Sequence, residues 1–363
     1  MGKTLIVSAI NIVDGGALTV LKDALCAFNK IEKGTVRIIF LVSNQDVICE
    51  QDYKNLDFFY FPKSKTSWIY RIFYEYFYFY FLSRNLKADS WLSLHDISPN
   101  VDVKKRYVYC HNPSVFLDFP FSDFSLDPKQ FLFSRLYKYL YRFNIGKNRK
   151  VFVQQGWMAD EFVKIFNLNN LMIAEPDIKA APLVHEDKEQ TKSNANLELF
   201  YPAFPRYFKN HKLLLSASRH LPEVKFLLSI TGDENPYIRS VVGDEVFGNC
   251  SFLGRLDIFE VYKYYQQCDA LVFPSLLETW GLPLTEVKMF KKPIIAADLA
   301  YAHETVGDYP FVYWFDPLSV ESFVCAVKRF QSKGGFDSPK VKSFPYSKLV
   351  GWDSFANYLL SEM

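Results

Sequence analysis

The 363-residue sequence lacks the patterns that mark several large classes of protein. Its 15 glycines form no Gly-x-Gly triplet, which argues against the phosphate-binding fingerprint of nicotinamide-dependent enzymes. No apolar run is long and uncharged enough to span a bilayer. The cysteines are few, and no Cys-x-x-Cys occurs, so we expect reduced core residues rather than disulfides or a zinc site: Cys26, Cys49, Cys110, Cys250, Cys268 and Cys325.

The net charge is also small, at +2, but it is unevenly distributed. Residues 1–172 carry 22 Lys/Arg and 16 Asp/Glu, a net charge of +6, whereas residues 173–363 carry 20 and 24, a net charge of −4. A basic half suggests a phosphate-bearing substrate or an anionic membrane surface as partner. Chance variation around neutrality explains the asymmetry equally well. We expect no nucleic-acid partner.

Hydrophobic residues make up 49% of the chain and aromatic residues 18%, which is enough apolar material for two sizeable cores. Strand and helix patterns alternate throughout, and this alternation predicts parallel sheets covered by helices. The first residues lead directly into a strand, so we expect no signal peptide and a cytoplasmic location.

The most informative stretch runs from Pro274 to Glu286. An apolar strand candidate precedes it, and a helix is predicted to begin near Gly281. The backbone N–H groups of Gly281 and the next residues would lack partners there and could bind an anion such as a phosphate. Glu278 and Glu286 lie on either side of this helix start and could accept hydrogen bonds from sugar hydroxyls. The alternative is an ordinary strand–loop–helix with two exposed glutamates.

Further polar residues follow other predicted strands. Arg206 and Lys209 lie between a strand and a helix and could bind phosphate oxygens. His111 ends another strand, and the carboxyl ends of parallel strands line the ligand crevice of α/β proteins. Gly15 and Gly16 follow the first strand, where paired glycines allow a ligand to approach the backbone closely.

The stretch Pro274–Glu286, with Gly281-Leu282-Pro283 inside it and the strand Pro293–Ala297 after it, resembles the Glu-x7-Glu motif of retaining glycosyltransferases of family 4. The resemblance implies the GT-B fold, an α/β architecture of two Rossmann-like α/β/α domains facing a cleft. It implies an acceptor-side domain at 1–174, a donor-binding domain at 175–345, and a final helix at 346–363 that crosses back to the first domain.

The resemblance also assigns roles to residues. Glu278 and His111 contact the donor sugar, Glu286 binds the ribose, and Arg206 and Lys209 bind the diphosphate. The remaining donor-binding positions that it implies are Gly15, Gly16, Gly254, Arg255, Gly281, Leu282, Leu284 and Thr285. His95, Asp96 and Asn112, at strand ends of the first domain, are candidates to face the acceptor.

The implied reaction is transfer of a sugar from a nucleoside-diphosphate-sugar to a hydroxyl of a glycan acceptor, with retention at the anomeric carbon. The implied setting is O-antigen or capsule synthesis on a lipid-linked acceptor. No Asp-x-Asp occurs, so we expect no metal and no other cofactor. Two other readings stay open: a GT-B enzyme of another class, such as a sugar-nucleotide epimerase or a phosphorylase, and a non-catalytic sugar-nucleotide-binding partner.

Two aromatic segments bear on the membrane question. Trp68–Leu82 is a predicted helix with an Arg71/Glu75 pair, and Phe131–Phe143 is a predicted amphipathic helix with basic polar positions. Both could lie on an anionic membrane surface, which would make the protein peripheral to the inner membrane. The alternatives are a helix packed in the core with its tyrosines at the rim, and a solvated helix face.

Overall fold

The computed structural model describes residues 2–13, 15–32, 34–177 and 196–363. Most of the predicted interdomain connection, Ala174–Asn196, lies outside these residues. The strands are β1 (Lys3–Ala9), β2 (Val36–Val42), β3 (Asp57–Tyr60), β4 (Ser90–Ser93), β5 (Lys105–Cys110), β6 (Lys150–Val153), β7 (Leu171–Glu175), β8 (Leu197–Tyr201), β9 (Val224–Leu228), β10 (Cys250–Phe252), β11 (Ala270–Phe273), β12 (Ile294–Ala297), β13 (Val312–Phe315) and β14 (Lys348–Val350).

The α-helices connect these strands, and a π-helix (Tyr74–Tyr78) separates two of them. They are α1 (Gly15–Asn29), α2 (Lys63–Thr66), α3 (Trp68–Phe73), α4 (Phe79–Asn85), α5 (Pro128–Arg142), α6 (Gly156–Phe166), α7 (His211–Ser218), α8 (Pro236–Val242), α9 (Ile258–Gln267), α10 (Leu282–Met289), α11 (Ala300–Val306), α12 (Val320–Gln331) and α13 (Gly351–Glu362).

The chain divides into two compact units, each built on one parallel sheet. The first unit contains Met1–Val115, Leu136–Ile178 and Phe344–Met363, with the strand order β14-β7-β6-β5-β4-β1-β2-β3. The second unit contains Phe116–Arg135 and Lys179–Ser343, with the order β10-β9-β8-β11-β12-β13. Two parallel-sheet α/β domains were predicted, and this prediction is confirmed.

The boundaries of the units differ from the expected ranges in one segment. Residues 116–135, which fall inside the expected first domain of 1–174, pack in the second unit. There the ring of Phe119 stacks on Tyr207 at 3.9 Å, and the Tyr207 hydroxyl donates to Asp123 at 2.6 Å. Such contacts join residues that are far apart in sequence, so a pattern of local elements does not reveal them.

Both faces of the first sheet are buried, as helices on each side require. Leu5 and Val7 of β1 point to one face, and Ile6, between them, points to the other. The C-terminal helix α13 covers the first face and shares its apolar core. The predicted return of the final helix to the first domain is therefore confirmed. Its buried core residues are Trp352, Phe355, Ala356 and Leu359.

The structure bears on two expectations from the sequence, the burial of the cysteines and the lack of a membrane-spanning segment. The cysteines are not all core residues, because Cys26, Cys49 and Cys325 are exposed and only Cys110 and Cys268 are buried. Small thiol side chains tolerate either environment, so their number alone does not predict burial. Within the described ranges, no helix combines the length and the apolar character needed to cross a membrane.

Candidate functional site

In the second unit, the loops after the neighbouring strands β8 and β11 are joined by hydrogen bonds. The Leu276 N–H donates to the Phe208 carbonyl at 2.7 Å, and the Asn210 side chain donates to the Pro274 carbonyl at 3.2 Å. Asn210 has a φ of 57°, a left-handed conformation that asparagine tolerates better than most residues. These bonds hold the loop that carries Arg206 and Lys209 beside the loop that carries Glu278.

Buried tyrosines support the two loops from below. The Tyr201 hydroxyl lies 2.8 Å from the Ser275 hydroxyl and donates to the Lys209 carbonyl at 2.9 Å. The Tyr301 hydroxyl donates to the Ser275 carbonyl at 2.6 Å. Tyr201 and Tyr301 are almost completely buried, so their polar atoms require these partners. The loops therefore rest on a fixed hydrogen-bonded base.

Lys209 and Glu278 form the closest contact between predicted site residues. The Lys209 ammonium lies 2.5 Å from a Glu278 carboxylate oxygen, and the side chains are 20% and 13% exposed. A pair this shielded is screened less by salt than a surface pair. Arg206 is exposed, and its guanidinium lies 5.5 Å from the centre of the Phe204 ring. Two cations and one carboxylate are thus placed at the carboxyl ends of the neighbouring strands β8 and β11.

The start of α10 offers fewer free amides than the sequence suggested. Gly281 caps the helix with a φ of 77°, a conformation that favours glycine. Pro283 has no N–H, and the Leu284 N–H already donates to the Gly281 carbonyl at 2.9 Å. The Leu284 side chain is fully buried, and the Thr285 hydroxyl accepts from the Trp280 indole at 3.0 Å. Leu282 is the exposed residue of this turn.

Glu286, one turn into α10, has a different environment from Glu278. Its carboxylate accepts a hydrogen bond from the Tyr265 hydroxyl at 2.9 Å. Burial raises the pKa of Glu286 above its ordinary value, and the tyrosine hydrogen bond opposes this rise. The Tyr265 hydroxyl orients the carboxylate and leaves its other oxygen as an acceptor. The two glutamates are therefore supported independently, one by a cation and one by a phenol.

The loop that carries the predicted donor-binding positions Gly254 and Arg255 follows β10. Gly254 has a φ of 72°, and its N–H donates to the Ile230 carbonyl at 3.0 Å. A side chain at this position would adopt a strained conformation. Arg255, the next residue, is exposed. The structure brings Arg206, Lys209 and Glu278 to adjacent strand ends, and Gly254 lies two strands further along the sheet.

In the first unit, Asp96 organises the strand ends instead of facing outward. It follows β4, and its carboxylate accepts from the N–H groups of His111 at 2.8 Å and Asn112 at 3.0 Å. His95 and Asp96 are only 1% and 5% exposed. This burial corrects the expectation that their side chains face an acceptor. His111 and Asn112 are half-buried and remain candidates for ligand contact.

The paired glycines lie in the first turn of α1 rather than in a preceding loop. Gly15 begins the helix, and Asp14, before it, lies outside the described residues. Gly16 is exposed, and a Cβ added there would meet no atom within 4 Å. The open space beside Gly16 is consistent with a helix start that a ligand could approach.

Sequence reasoning missed the residues that support the site rather than touch a ligand. Tyr201, Tyr265 and Ser275 occur in apolar or loop segments and carry no spacing signal. Asn210, placed directly before a helix, carried a weak signal because asparagine favours turns and caps. Within the described part of the chain, no three His, Cys, Asp or Glu side chains gather as metal ligands would.

Comparisons with known proteins agree with the fold. Residues 184–340 match the family model described as Glycosyl transferases group 1. A relative from Klebsiella pneumoniae, an uncharacterized 41.2 kDa protein in the cps region, is 24% identical over 215 residues. That alignment covers 56% of this chain and 56% of the relative, so it spans little more than half of either protein.

Two solved structures cover nearly the whole chain. Sucrose-phosphate synthase from Thermosynechococcus elongatus aligns with a TM-score of 0.66 and 13% identity, covering 91% of this chain and 90% of its own. HepE from Anabaena, solved in complex with UDP-glucose, aligns with a TM-score of 0.62 and 13% identity, covering 99% and 94%. At such low identity the likeness establishes the fold, which is GT-B, and residues 184–340 carry the glycosyl transferases group 1 signature.

Proposed function

We propose that this protein is a retaining, metal-independent glycosyltransferase of family 4 that transfers a sugar from a nucleoside-diphosphate-sugar to a glycan hydroxyl. The observation that carries the proposal is the Lys209–Glu278 pair, held at 2.5 Å beside the exposed Arg206. It lies within the segment that matches the group 1 glycosyltransferases. The donor has the two groups that this arrangement suits, a negatively charged diphosphate and a sugar rich in hydroxyls.

The ion pair supplies a mechanism for donor recognition. A diphosphate approaching Lys209 competes with Glu278 for the ammonium group and, with Arg206, forms charge-assisted hydrogen bonds. The freed carboxylate of Glu278 then accepts hydrogen bonds from the donor sugar. Glu286, oriented by Tyr265, binds the ribose. Donor binding therefore exchanges one internal ion pair for contacts to both ends of the bond that breaks.

The same residues stabilise the reaction's transition state. Negative charge grows on the leaving diphosphate as the sugar becomes partly cationic, so the cations of Arg206 and Lys209 stabilise departure. Retention then follows if the acceptor hydroxyl attacks from the face that the phosphate leaves, and the phosphate oxygen takes the hydroxyl proton. Glu278 orients the sugar and need not form a covalent bond. His111 is the sugar contact that we assign to the first unit.

We further propose that the acceptor is lipid-linked and that the enzyme works at the cytoplasmic face of the inner membrane, in O-antigen or capsule synthesis. The Klebsiella relative's name refers to a cps region, which supports this setting. In the first unit an exposed aromatic row supports membrane contact. Phe73 and Phe77 have ring centres 5.4 Å apart, and Phe77 and Phe81 have ring centres 5.3 Å apart.

A second segment extends this row into a surface. Trp68 contacts Tyr137 at 6.5 Å and Tyr76 contacts Phe143 at 4.8 Å, measured between ring centres, so 136–143 runs alongside 68–81. All exposed charged side chains of 62–87 and 136–150 are basic. An exposed apolar surface flanked by cations fits an anionic bilayer rather than a neutral partner. The exposed apolar residues are Ile69, Ile72, Phe73, Phe77, Phe81, Leu136, Tyr139 and Phe143.

Vesicle flotation tests the membrane proposal. The full-length protein is expected to float with phosphatidylcholine vesicles that contain phosphatidylglycerol, and less with phosphatidylcholine alone. Replacing Phe73 and Phe77 together by serine should abolish flotation. Phe259→Ser, at a 63% exposed site of the second unit, is the matched control. Equal flotation of the double variant would contradict the proposal, whatever the enzyme's activity.

The reaction itself is tested by following radiolabelled nucleotide sugars with lipid-extracted acceptors, with and without EDTA. We expect a labelled glycan that keeps the anomeric configuration of the donor sugar. EDTA should not change the amount of this product. Glu278→Ala should abolish product formation while nucleotide binding persists. Formation of an isomerised nucleotide sugar in the absence of acceptor would favour an epimerase. Transfer of the sugar to inorganic phosphate, which forms a sugar phosphate, would favour a phosphorylase. Nucleotide binding without any turnover would favour the non-catalytic reading.

A further inference from the structure

The first unit contains a buried polar cluster that the proposed reaction does not use directly. The His95 imidazole lies with Nε2 2.9 Å from the Ser8 hydroxyl and Nδ1 3.4 Å from a Glu75 carboxylate oxygen. Arg71 adds a charge, with its Nε 3.7 Å from the same carboxylate and its Nη2 3.4 Å from the His95 carbonyl. All four residues are at most 3% exposed. Four polar residues buried together need a reason, because such burial is costly.

The order Ser8–His95–Glu75 resembles a hydrolytic triad, but its burial excludes that chemistry. Ser8 has no exposed surface, so no substrate can reach its hydroxyl. Burial also lowers the pKa of His95 well below its ordinary value, which keeps the imidazole neutral at pH 7. Glu75 lies in the π-helix between α3 and α4, a local irregularity that often marks functional positions. The cluster therefore acts on its neighbours rather than on a substrate.

The neighbour that it holds is Asp96. This residue directly follows His95 and has a φ of 72°, a left-handed conformation that is strained for most side chains. Its carboxylate accepts both the His111 and the Asn112 N–H groups, and the Tyr141 hydroxyl donates to the Asn112 carbonyl at 3.1 Å. The backbone of His111 and Asn112 is thus fixed by side chains from a neighbouring strand end and from α5.

We propose that Asp96, held in its strained conformation by the Arg71–Glu75–His95–Ser8 cluster, is a positioning residue that fixes His111 for sugar transfer. The inference rests on the proposed function, in which His111 contacts the donor sugar. Asp96 touches no substrate and acts through two backbone hydrogen bonds. The left-handed turn aims its carboxylate at the next strand end, and the cluster prevents that turn from relaxing.

A matched pair of variants isolates the carboxylate from the backbone. Asp96→Gly and Asp96→Asn both accept a left-handed φ, but only asparagine keeps an oxygen that can accept the two N–H bonds. We expect Asp96→Gly to lower kcat about tenfold to 100-fold, since two half-buried N–H groups lose their partner, while the Kd for nucleoside diphosphate is unchanged. Asp96→Asn should restore kcat to within about threefold of the wild type, because the lost charge weakens the bonds only in part.

A double-mutant cycle distinguishes positioning of His111 from a general structural role. If Asp96 acts through His111, then Asp96→Gly should change kcat little in a His111→Ala background. A full loss from Asp96→Gly in that background would overturn the inference. So would equal kcat values for the glycine and asparagine variants. A protein in which His111→Ala has no effect on transfer would instead contradict the His111 assignment within the proposed function.

Hydrogen exchange supplies a measurement that does not depend on activity. In the full-length protein, the amides of His111 and Asn112 should exchange about tenfold or more faster in Asp96→Gly than in Asp96→Asn, because only the glycine variant removes their acceptor. Unchanged protection of these amides in Asp96→Gly would overturn the inference even for a fully active enzyme. Faster exchange in an enzyme without transfer activity would support the positioning contact and count against the proposed function alone.

Discussion

The two units differ in the solvent exposure of the charged residues that we assign to function. In the second unit, Arg206, Lys209 and Glu278 are exposed or half-buried, and the loops that carry them are joined by hydrogen bonds. In the first unit, Glu75 and His95 are buried, His111 is half-buried, and the rings of Phe73, Phe77 and Phe81 are exposed. Side chains that must exchange partners with a diphosphate need access to solvent. Side chains that only fix a backbone do not, and burial makes them more rigid.

The largest expected effect breaks the second unit's ion pair. Lys209→Ala removes a cation from the leaving diphosphate, so we expect kcat for sugar transfer to fall about 100-fold or more. Lys212→Ala, an exposed lysine on the following helix, is the matched control and should leave kcat unchanged. Steady-state kinetics with saturating donor measure the difference. Equal kcat values for the two variants would remove Lys209 from the catalytic machinery.

A smaller effect is expected in the first unit, where the ionisation of the buried Glu75 changes the stability of the fold. Burial raises the pKa of Glu75 to about 8 from an ordinary value of 4.5. The folded protein therefore binds this proton more tightly than the unfolded chain, and the stabilisation is lost as the pH rises toward 8. We expect the free energy of unfolding to fall by roughly 1–2 kcal/mol between pH 6.5 and 8. Glu75→Gln, which cannot ionise, should flatten this dependence.

His95 defines the pH window of that experiment. Its pKa is lowered, so its own contribution is lost as the pH falls below 6.5 and opposes the Glu75 effect there. Above pH 6.5 the two groups facing Glu75 are a neutral imidazole and the permanently charged Arg71, whose guanidinium also faces Tyr137. Urea unfolding at several pH values measures the slope. The same slope in wild type and Glu75→Gln would show that Glu75 is ionised when folded.

The smallest expected effect concerns the support of Glu286. Tyr265→Phe removes the hydroxyl that orients this carboxylate and keeps the buried ring. A typical hydrogen bond contributes about 0.5–1.5 kcal/mol, so nucleotide affinity should weaken roughly twofold to tenfold. Calorimetric titration with nucleoside diphosphate measures this change. Tyr309→Phe, whose hydroxyl donates to the Lys292 carbonyl elsewhere in the unit, should bind as the wild type does.

The fold of the second unit could be predicted from the sequence because its signals are local. The stretch from Pro274 to Glu286 contains strand end, loop, cap and both glutamates within one supersecondary unit. The alternation of strands and helices likewise predicted two parallel sheets. Hydrophobic pattern and turn chemistry depend on neighbouring residues, so they survive in a single sequence without knowledge of long-range contacts.

The polar contacts of the first unit were harder to predict because they join residues that are distant in sequence. Arg71 and Glu75 were predicted as a pair at helical spacing, but the sequence did not show that the fold buries them against His95. Asp96 looked available to an acceptor because it ends a strand, yet its carboxylate caps the backbone of the next strand end. Periodicity reports which residues are apolar, and it does not identify the polar residues that burial brings together.

Nucleotide binding by the wild type and two arginine variants tests the central claim most directly. In a thermal-shift screen of nucleoside diphosphates without added metal, one nucleotide should raise Tm, and Arg206→Ala should reduce that rise. Arg219→Ala, an exposed arginine paired with Glu245 in the same unit, should leave it unchanged. A folded protein that shows no shift with any nucleotide, or an equal shift in all three proteins, would contradict the assignment of Arg206 and Lys209 to a donor diphosphate.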